Sequence, residues 1–332
     1  MFTGSEIEVL TSTDVERYDL QALVDEATEY IESNRSQRTR NAYASDFAQF
    51  EEFCEEKNVS ALPASPETVA LFLTDQARTL KASTVNRRAS AISSTHKMAG
   101  HESPCQNTGV RELLKGIRRK AKDSKEEKDQ IRKAAPARIG EIRRMISHID
   151  RETTVGRRDA ALLLVGFAAA LRRSELAMLT VDDIEHVEGE GVSVNIRYSK
   201  TDQEGKGRKV AIPFGADQDT CPVAALTSLT DDIGHNGPLF RRIDQWGNVA
   251  DTAITGRAVS IIIKRSAQAA GLNPDDYSGH SLRAGFATTA AANGANEREI
   301  AKVTGHQSMA VLGGYIREGA LFRNTAAGKV GL

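Results

Sequence analysis

The stretch from residue 159 to residue 176 reads DAALLLVGFAAALRRSEL. Apart from its leading aspartate, the segment up to Leu171 is apolar nearly all round, so it predicts a helix that is buried on every side. Arg172 closes this run, and Glu175 follows three residues later. A buried arginine is costly unless it is paired or bound to an anion. Two interpretations stay open: a structural Arg–Glu pair that ends the helix, or a glutamate that holds an arginine in place for a phosphate.

The residues on either side of this helix predict a domain, residues 136–332, that is mainly helical with a small β-sheet. Pro136 opens a helix whose apolar residues recur at helical spacing, namely Ile139, Ile142, Met145 and Ile149. A half-buried strand is predicted where apolar and polar residues alternate, at Val192, Val194, Ile196 and Tyr198. The turn DQEGKG leads to a second strand, Lys209 to Ile212, and helices resume from Thr255.

Residues 35–121 predict a separate, all-helical domain. Its first helix has apolar residues three or four positions apart, at Tyr43, Phe47, Phe50 and Cys54. Ser65-Pro66 is typical of a helix start, because serine caps the N-terminus and proline is tolerated at the first helical position. A third helix is expected to end at Gly100, and a fourth to run from Gly109 to Lys120.

Charge is distributed very unevenly along the chain. The protein has a net charge of −1, yet residues 1–30 carry −7 and residues 81–122 carry +8. Binding to a polyanion depends on the local field, so the basic segment is a candidate DNA-binding surface, although a merely solvated helical face has the same pattern. The candidate DNA contacts are Arg87, Arg88, Lys97, Lys115, Arg118 and Arg119. Residues 1–34 are predicted to form an acidic arm, and the charged segment 122–135 an interdomain linker.

Composition argues against several classes of protein. No apolar run approaches the ~18 residues of a membrane span, and the first ten residues lack the basic start and apolar core of a signal peptide. Cys54, Cys105 and Cys221 are far apart and indicate neither a disulfide framework nor a CxxC metal site, which fits a reducing cytoplasm. The sequence shows no carboxylate cluster of the kind that holds a catalytic metal, so no metal or other cofactor is expected.

Two further places carry cationic groups suited to phosphate chemistry. Lys200 lies at the predicted hairpin turn, where a lysine is usually just solvated but can also be carried into a cleft. His280 and Arg283 are three apart at a helix start and share a face. An imidazole can move protons near neutral pH while a guanidinium binds a phosphoryl oxygen, although a single His-x-x-Arg also occurs by chance.

The last candidate lies near the end of the chain, where His306 is followed nine residues later by Tyr315. A lone tyrosine on a helix is more often a core or rim residue than a nucleophile. Gly313-Gly314 immediately precedes it, and glycine inside a helix costs about 1 kcal/mol. The glycine pair therefore predicts either a bent helix or a close approach of another backbone.

In their order along the chain, these residues resemble the active-site signature of the tyrosine recombinases, also called the phage-integrase family: Arg172, Lys200, His280, Arg283, His306 and Tyr315. ALRRSELAML resembles the family's first arginine box, GHSLRAGFAT its His-x-x-Arg box, and VTGHQSMAVLGGYI its closing nucleophile box. The resemblance covers residues 35–332. Ala284 is one departure, since many members have histidine there, but that position is not catalytic.

The resemblance implies a fold. An all-helical, SAM-like core-binding domain would precede an α+β catalytic domain, and the two would close as a C-shaped clamp around the duplex. Residues 1–34 look too short for the extra arm-binding domain of lambda-type integrases. A two-domain, Cre-like or Xer-like site-specific recombinase is therefore expected.

The resemblance also implies a mechanism without metal or ATP. Arg172 and Arg283 would clamp the phosphate oxygens, with Glu175 supporting Arg172 or His280. His280 would be the general base, Lys200 the general acid and His306 a hydrogen-bonding group. Tyr315 would be the nucleophile that forms a 3′-phosphotyrosyl bond.

The same resemblance implies partners and a location. Double-stranded DNA with an inverted-repeat site would be bound by a homotetramer that passes through a Holliday junction, in the cytoplasm at the nucleoid and away from membranes. The tail, residues 316–332, is expected to dock on the neighbouring protomer; local packing on its own domain is the alternative.

Other functions remain as alternatives. A type IB topoisomerase uses similar chemistry but relaxes supercoils as a monomer. A non-catalytic DNA-binding relative would have lost part of the catalytic set, all of which is present in this sequence. A metal-dependent nuclease would need an Asp/Glu/His cluster.

Overall fold

The computed structural model describes residues 36–124, 126, 134–197, 207–306 and 308–319, with the isolated positions 22, 23, 25, 26 and 30. The chain divides into two compact units, Met1–Ile131 and Arg132–Leu332. The division falls within the segment 122–135. Most of the predicted acidic arm, Lys200 and the tail beyond residue 319 lie outside the described residues.

Helices form the described part of the first unit: α1 (Gln37–Glu56), α2 (Pro66–Thr79), α3 (Ala82–Met98) and α4 (Thr108–Asp123). As the sequence predicts, α2 begins at Pro66, and the hydroxyl of Ser65 caps it by accepting the amide hydrogen of Thr68 at 3.1 Å. The apolar faces of α1 and α2 meet at Phe50 and Phe72, whose ring centroids lie 5.1 Å apart. The prediction of a helical first domain is confirmed.

The described part of the second unit combines helices with short strands. Its helices are α5 (Ile139–Ile146), α6 (Thr154–Ala168), α7 (Arg173–Met178), α8 (Pro222–Ile233), α9 (Gly256–Ala269), α10 (Ser281–Ala292), α11 (Glu297–Thr304) and α12 (Met309–Gly319). Its strands are β1 (Ile184–Val187), β2 (Gly191–Ile196), β3 (Arg208–Pro213), β4 (Arg241–Ile243) and β5 (Val249–Ala253). As predicted, α6 is buried along most of its length, with α8 and α10 packed against it.

The strands form two small antiparallel sheets among the described residues. One has the order β1-β2-β3 and pairs Ile196 with Arg208; the other pairs β4 with β5. The alternation that predicts β2 is correct, because Val192, Val194 and Ile196 are all buried. Tyr198, the last residue of that predicted strand, lies outside the described residues. Strand β3 starts at Arg208, one residue earlier than predicted.

The C-terminal helices bring the remaining candidate residues together. Helix α10 packs against α12, and α11 contacts both. The core between these helices contains the buried residues Ala287, Ala291, Ile300 and Leu312, with Tyr315 packed against it. No helix in the described parts of the chain is both long and apolar enough to cross a membrane.

Candidate active site

Arg172 and Glu175 form the first part of the site, where the chain passes from α6 into α7. Glu175 is only 3% exposed, and its Oε1 accepts a hydrogen bond from Arg172 Nη1 at 2.6 Å. Its Oε2 accepts the amide hydrogen of Arg172 at 3.0 Å. One carboxylate therefore satisfies the open backbone end of α7 and also fixes the direction of the arginine side chain.

Arg283 lies in the first turn of α10 and is 1% exposed. Its Nη1 donates to the carbonyl oxygen of Ala170 at 2.9 Å, whereas its buried Nη2 has no hydrogen-bond partner among the described residues. Burial, followed by the nearby charge of Arg172, lowers the pKa of Arg283 to about 10. The guanidinium is therefore still a cation at neutral pH, and it has a buried donor that an anion would satisfy.

His280 and Tyr315 meet directly. His280 immediately precedes α10, Tyr315 lies on α12, and the His280 Nε2 atom is 2.7 Å from the Tyr315 Oη atom. The atoms packed around the imidazole, followed by the charges of Arg283 and Arg172, lower the pKa of His280. Burial raises the pKa of Tyr315, although the charge of Arg283 acts in the opposite direction. Both shifts favour a neutral tyrosine hydrogen-bonded to a neutral histidine.

His306 follows Gly305, which ends α11 in the left-handed conformation with φ 62°. The His306 Nδ1 atom lies 2.8 Å from Thr304 Oγ1, and the Thr304 hydroxyl donates to the carbonyl oxygen of Ile300 at 2.8 Å. Because that hydroxyl has a single hydrogen, Nδ1 must carry the proton of the neutral imidazole, and Nε2 has a lone pair. Burial, followed by the charge of Arg283, lowers the pKa of His306 to about 4.

Arg208 also belongs to this cluster, although the sequence reasoning missed it. Its Nη2 donates to Glu175 Oε2 at 3.2 Å. The signal that could have found it is the alternation of β3, in which Val210 and Ile212 are buried. Extending that alternation back by one step places Arg208 on the same inward face.

The structure brings most of the predicted catalytic set into one cluster: Arg172, Glu175, His280, Arg283, His306 and Tyr315. Lys200 lies outside the described residues, so its position stays a prediction. In the described parts of the chain, no group of three or more His, Cys, Asp or Glu side chains is placed to hold a metal ion. The chemistry available in the cluster is proton transfer between His280 and Tyr315 beside a group of cations.

Arg87 and Arg88, two of the candidate DNA contacts on α3, both face the buried carboxylate of Asp46. Arg87 donates to both oxygens of Asp46, at 2.7 and 3.0 Å. The side chain of Arg88 is 13% exposed and also donates to Gln76 of α2. This geometry places Arg88 as a link between helices and does not support a phosphate contact, while the half-exposed Arg87 remains accessible.

The other candidate DNA contacts are exposed. Lys97 lies in the last turn of α3, and Arg118 and Arg119 lie on α4. Lys115, also on α4, pairs with Glu112 at 2.6 Å. These side chains are accessible for phosphate binding, and their role as DNA contacts stays a prediction.

Comparison with known proteins identifies close counterparts for both units. The model of the Phage integrase family matches residues 138–320, and that of the Phage integrase, N-terminal SAM-like domain, matches residues 24–103. The integrase/recombinase xerD homolog of Selenomonas ruminantium is 34% identical over 305 residues, which is 90% of this chain and 87% of that protein. The recombinase cre of Escherichia phage P1 is 26% identical over 276 residues, 80% of this chain and 79% of that protein.

Solved structures share the fold. A lambda integrase dimer bound to a COC′ core site has a TM-score of 0.59 at 17% identity, over 90% of this chain and 95% of that chain. A Tn1549 transposon integrase in complex with circular intermediate DNA has a TM-score of 0.61 at 15% identity, over 87% of this chain and 92% of that chain. These likenesses confirm the predicted fold class, a mainly helical chain with small sheets and a SAM-like N-terminal domain. Given the family matches and the xerD homolog, the chain belongs to the phage integrase family of tyrosine recombinases.

Proposed function

We propose that this protein is a site-specific DNA recombinase that cleaves and rejoins strands through a transient 3′-phosphotyrosyl bond at Tyr315. The observation that carries the proposal is the 2.7 Å contact between His280 Nε2 and Tyr315 Oη, close to Arg172 and Arg283. A nucleophile hydrogen-bonded to a base, with cations alongside, is the arrangement that covalent catalysis on a phosphodiester requires.

His280 acts as the general base. Tyr315 must lose its proton as its Oη attacks phosphorus, and its raised pKa keeps it protonated at neutral pH. The lowered pKa of His280 keeps the imidazole neutral there, so Nε2 can accept the tyrosine hydrogen. The proton moves to Nε2 as the Oη–P bond forms.

Arg172 and Arg283 stabilise the charge that develops on the non-bridging oxygens. Glu175 holds Arg172 in place through its hydrogen bonds. The Nη2 atom of Arg283, buried without a partner in the described parts of the chain, donates to the phosphate. Glu175 holds Arg172, and the carbonyl oxygen of Ala170 holds Arg283, before DNA binds; the atoms that cover Arg283 Nη2 move aside to admit the phosphate.

His306 supplies a further hydrogen bond to the phosphate after a change of protonation. Its neutral form has a lone pair at Nε2, because Nδ1–H donates to Thr304. A phosphate oxygen accepts hydrogen bonds and favours a neighbouring cation. We therefore propose that His306 takes up a proton as DNA binds and that Nε2–H then donates to the phosphate. Its ring, with a centroid 6.3 Å from that of Tyr315, also helps to seat the nucleophile.

Cleavage breaks the bond between phosphorus and the 5′-oxygen, which must receive a proton to leave. Lys200 is the proposed general acid, on the basis of the family resemblance. The phosphotyrosyl bond conserves the energy of the phosphodiester, so the 5′-hydroxyl of a partner strand can attack it and give its proton to the neutral Lys200. Tyr315 then leaves and regains its proton from His280.

Strand exchange between two duplexes needs four such active sites, so we propose a homotetramer on inverted-repeat DNA that passes through a Holliday junction. The DNA-bound lambda and Tn1549 integrases support duplex DNA as the partner. The first residues of the predicted tail, 316–319, lie in α12 on their own unit, and we propose that residues 320–332 dock on the neighbouring protomer. The cytoplasm, at the nucleoid, is the corresponding place of action.

Covalent trapping tests this proposal. A binding site is first selected from a random duplex library and then nicked, so that the cleaved end diffuses away and the protein stays on the DNA. We expect a covalent band for the wild type and none for Tyr315→Phe, which keeps the ring but lacks the hydroxyl. Tyr277→Phe, at a buried tyrosine of the same unit, should keep the band.

Two outcomes would overturn the proposal. A band that persists in Tyr315→Phe would mean that another group attacks the phosphate. Efficient relaxation of a supercoiled plasmid that lacks the selected site would instead favour a type IB topoisomerase.

A further inference from the structure

Arg208 brings a further guanidinium to the site described above. It is the first residue of β3 and shares the inward face of that strand with Val210 and Ile212. Its side chain is 17% exposed. Placing an arginine on the inward face of a strand costs free energy of folding unless a carboxylate balances its charge. The groups that pair with Arg208 therefore indicate its role.

The partner of Arg208 is the carboxylate that orients Arg172. Glu175 Oε2 accepts the Arg172 amide hydrogen at 3.0 Å and Arg208 Nη2 at 3.2 Å, while Oε1 accepts Arg172 Nη1 at 2.6 Å. Burial alone would raise the pKa of Glu175, and the charge of Arg208, followed by the hydrogen bonds from Arg172, brings it below its usual value. Arg208 therefore helps to keep Glu175 ionised.

Arg208 also lies against the turn that carries His306. A Cβ atom added at Gly305 would lie 3.2 Å from Cδ, Nε and Nη1 of Arg208. Nε is buried and has no hydrogen-bond partner among the described residues. The guanidinium thus fills the space next to Gly305, and the absence of a side chain there is what lets it approach.

We propose that Arg208 is a positioning residue that ties Arg172, through Glu175, and His306, through Gly305, into one arrangement before DNA arrives. This role rests on the proposed function, because it is defined by phosphodiester cleavage at Tyr315. In this role Arg208 acts through Glu175, to which its Nη2 donates, and through the turn at Gly305, beside which its Nε is buried.

The first test compares cleavage rate with DNA affinity. In Arg208→Ala, the rate of covalent-band formation at saturating DNA should fall about 100-fold, as expected when reacting groups are misplaced by about 1 Å. The Kd for the selected DNA should change by less than about threefold, because contacts with DNA phosphates elsewhere supply most of the affinity. Arg208→Lys keeps the charge and one donor toward Glu175, so it should recover part of the rate. A wild-type rate in Arg208→Ala would overturn the proposal.

Arg157→Ala is the matched control. Arg157 lies near the start of α6, pairs with Asp232 at 2.5 Å and has a side chain 24% exposed, similar to Arg208. The site lies beyond the opposite end of this helix. Arg157→Ala removes a comparable ion pair and should leave the cleavage rate of the folded protein unchanged. If Arg157→Ala and Arg208→Ala lost the same fraction of the cleavage rate, the loss would reflect removal of any ion pair in this unit and not a specific role of Arg208.

The pH profile separates positioning from a general loss of structure. Without Arg208, its charge and its hydrogen bond no longer lower the pKa of Glu175, so that pKa rises. Glu175 would then become protonated at higher pH and would no longer accept from Arg172 on both oxygens. Protonation of His280 gives every variant an acid limb, and protonation of Glu175 adds a further loss in Arg208→Ala, so the rate should fall more steeply at low pH in Arg208→Ala than in the wild type or Arg208→Lys. A loss by the same factor at every pH would overturn the role through Glu175.

The contact with Gly305 is tested by a double-mutant cycle. Gly305→Ala pushes a methyl group into Arg208 and strains a positive φ, so cleavage should slow. In Gly305→Ala with Arg208→Ala, the clash with the guanidinium is gone, and the combined loss should be smaller than the product of the single losses. Losses that simply multiply would overturn this contact. If the wild type never forms a covalent band, the proposed function itself fails, whatever Arg208 does.

Discussion

His96 is fully buried in the helical unit and links α3 to the start of α2. Its Nε2 accepts the amide hydrogen of Ala64 at 2.9 Å, and its Nδ1 donates to the carbonyl oxygen of Ile92 at 2.8 Å. Both contacts form together only when the imidazole is neutral, because Nε2 must keep its lone pair. Burial is the main reason that the pKa of His96 is lowered.

We expect the helical unit to lose stability as the pH falls below about 6.5, the ordinary pKa of an unfolded histidine. The pKa is lower in the folded chain, so the unfolded chain binds the proton more tightly. The contribution of His96 is therefore complete above the unfolded pKa and is lost as the pH falls toward the folded one. Hydrogen exchange of the α3 amides, in the full chain, measures this loss.

Two variants test whether His96 causes this pH dependence of hydrogen exchange. His96→Gln cannot titrate, so the part of the pH dependence due to His96 should disappear. His186→Gln changes an exposed histidine on β1 of the other unit and should keep the wild-type slope. The same slope in all three proteins would show that another group causes it.

At the scale of single residues, the sequence predicted which residues form the site better than it predicted which of them contact one another. The order from Arg172 to Tyr315 was enough to name the groups that the structure brings together. The contact of Arg208 with Glu175 depends on which strand passes beside α7, and the contact of Arg88 with Asp46 on which helices touch. These two pairings join residues that are 33 and 42 positions apart in the sequence, and no local pattern shows them.

At the scale of elements, glycines set how closely α10 approaches its neighbours. A Cβ atom added at Gly285 would lie 1.8 Å from the backbone oxygen of Ala137, which precedes α5. By contrast, a Cβ atom at Gly313 or Gly314 would meet nothing within 4 Å among the described residues. Within the described parts of the chain, the close backbone approach considered for that glycine pair is not found, and both glycines lie within α12.

Gly285→Ala should therefore destabilise the second unit. A methyl group so close to a backbone oxygen cannot be relieved by rotating a side chain, so α10 must shift, at a cost of roughly 1–3 kcal/mol. Gly314→Ala adds a methyl group at an exposed helical position and should stabilise the unit by about 1 kcal/mol. Thermal unfolding of the two variants should give Tm changes of opposite sign. A lower Tm for Gly314→Ala would indicate that α12 needs its glycines for a contact outside the described residues.

Helices and strands were predictable where burial of one face makes apolar residues recur at a regular spacing along the sequence. The apolar run of α6 and the alternation of β2 are both correct because each is packed against the core. The short strands β1, β4 and β5 were missed, since most of their residues are exposed or half-buried. Pairing with a neighbouring strand, rather than burial of a face, defines them, and a single sequence does not show that pairing.

At the scale of the whole molecule, the small net charge of −1 hides a basic segment with a net charge of +8. Part of that charge is used inside the helical unit, where Asp46 binds Arg87 and Arg88. Lys97, Arg118 and Arg119 are exposed. The basic segment therefore offers fewer accessible cations than the sequence count indicates, because the guanidinium of Arg88 is largely enclosed.

We expect DNA binding by the whole protein to weaken steeply with salt, because each neutralised phosphate releases a counterion. The plot of log K against log salt concentration should have a slope of about −0.9 for each phosphate contact. Arg118→Gln should weaken binding to all sequences alike and reduce the slope by about one contact. Arg88→Gln should lower the Tm and leave the slope unchanged, since its guanidinium is held by Asp46 and Gln76. A wild-type slope near zero would exclude phosphate binding by these cations, and an equal slope in all three proteins would exclude Arg118 as a phosphate contact.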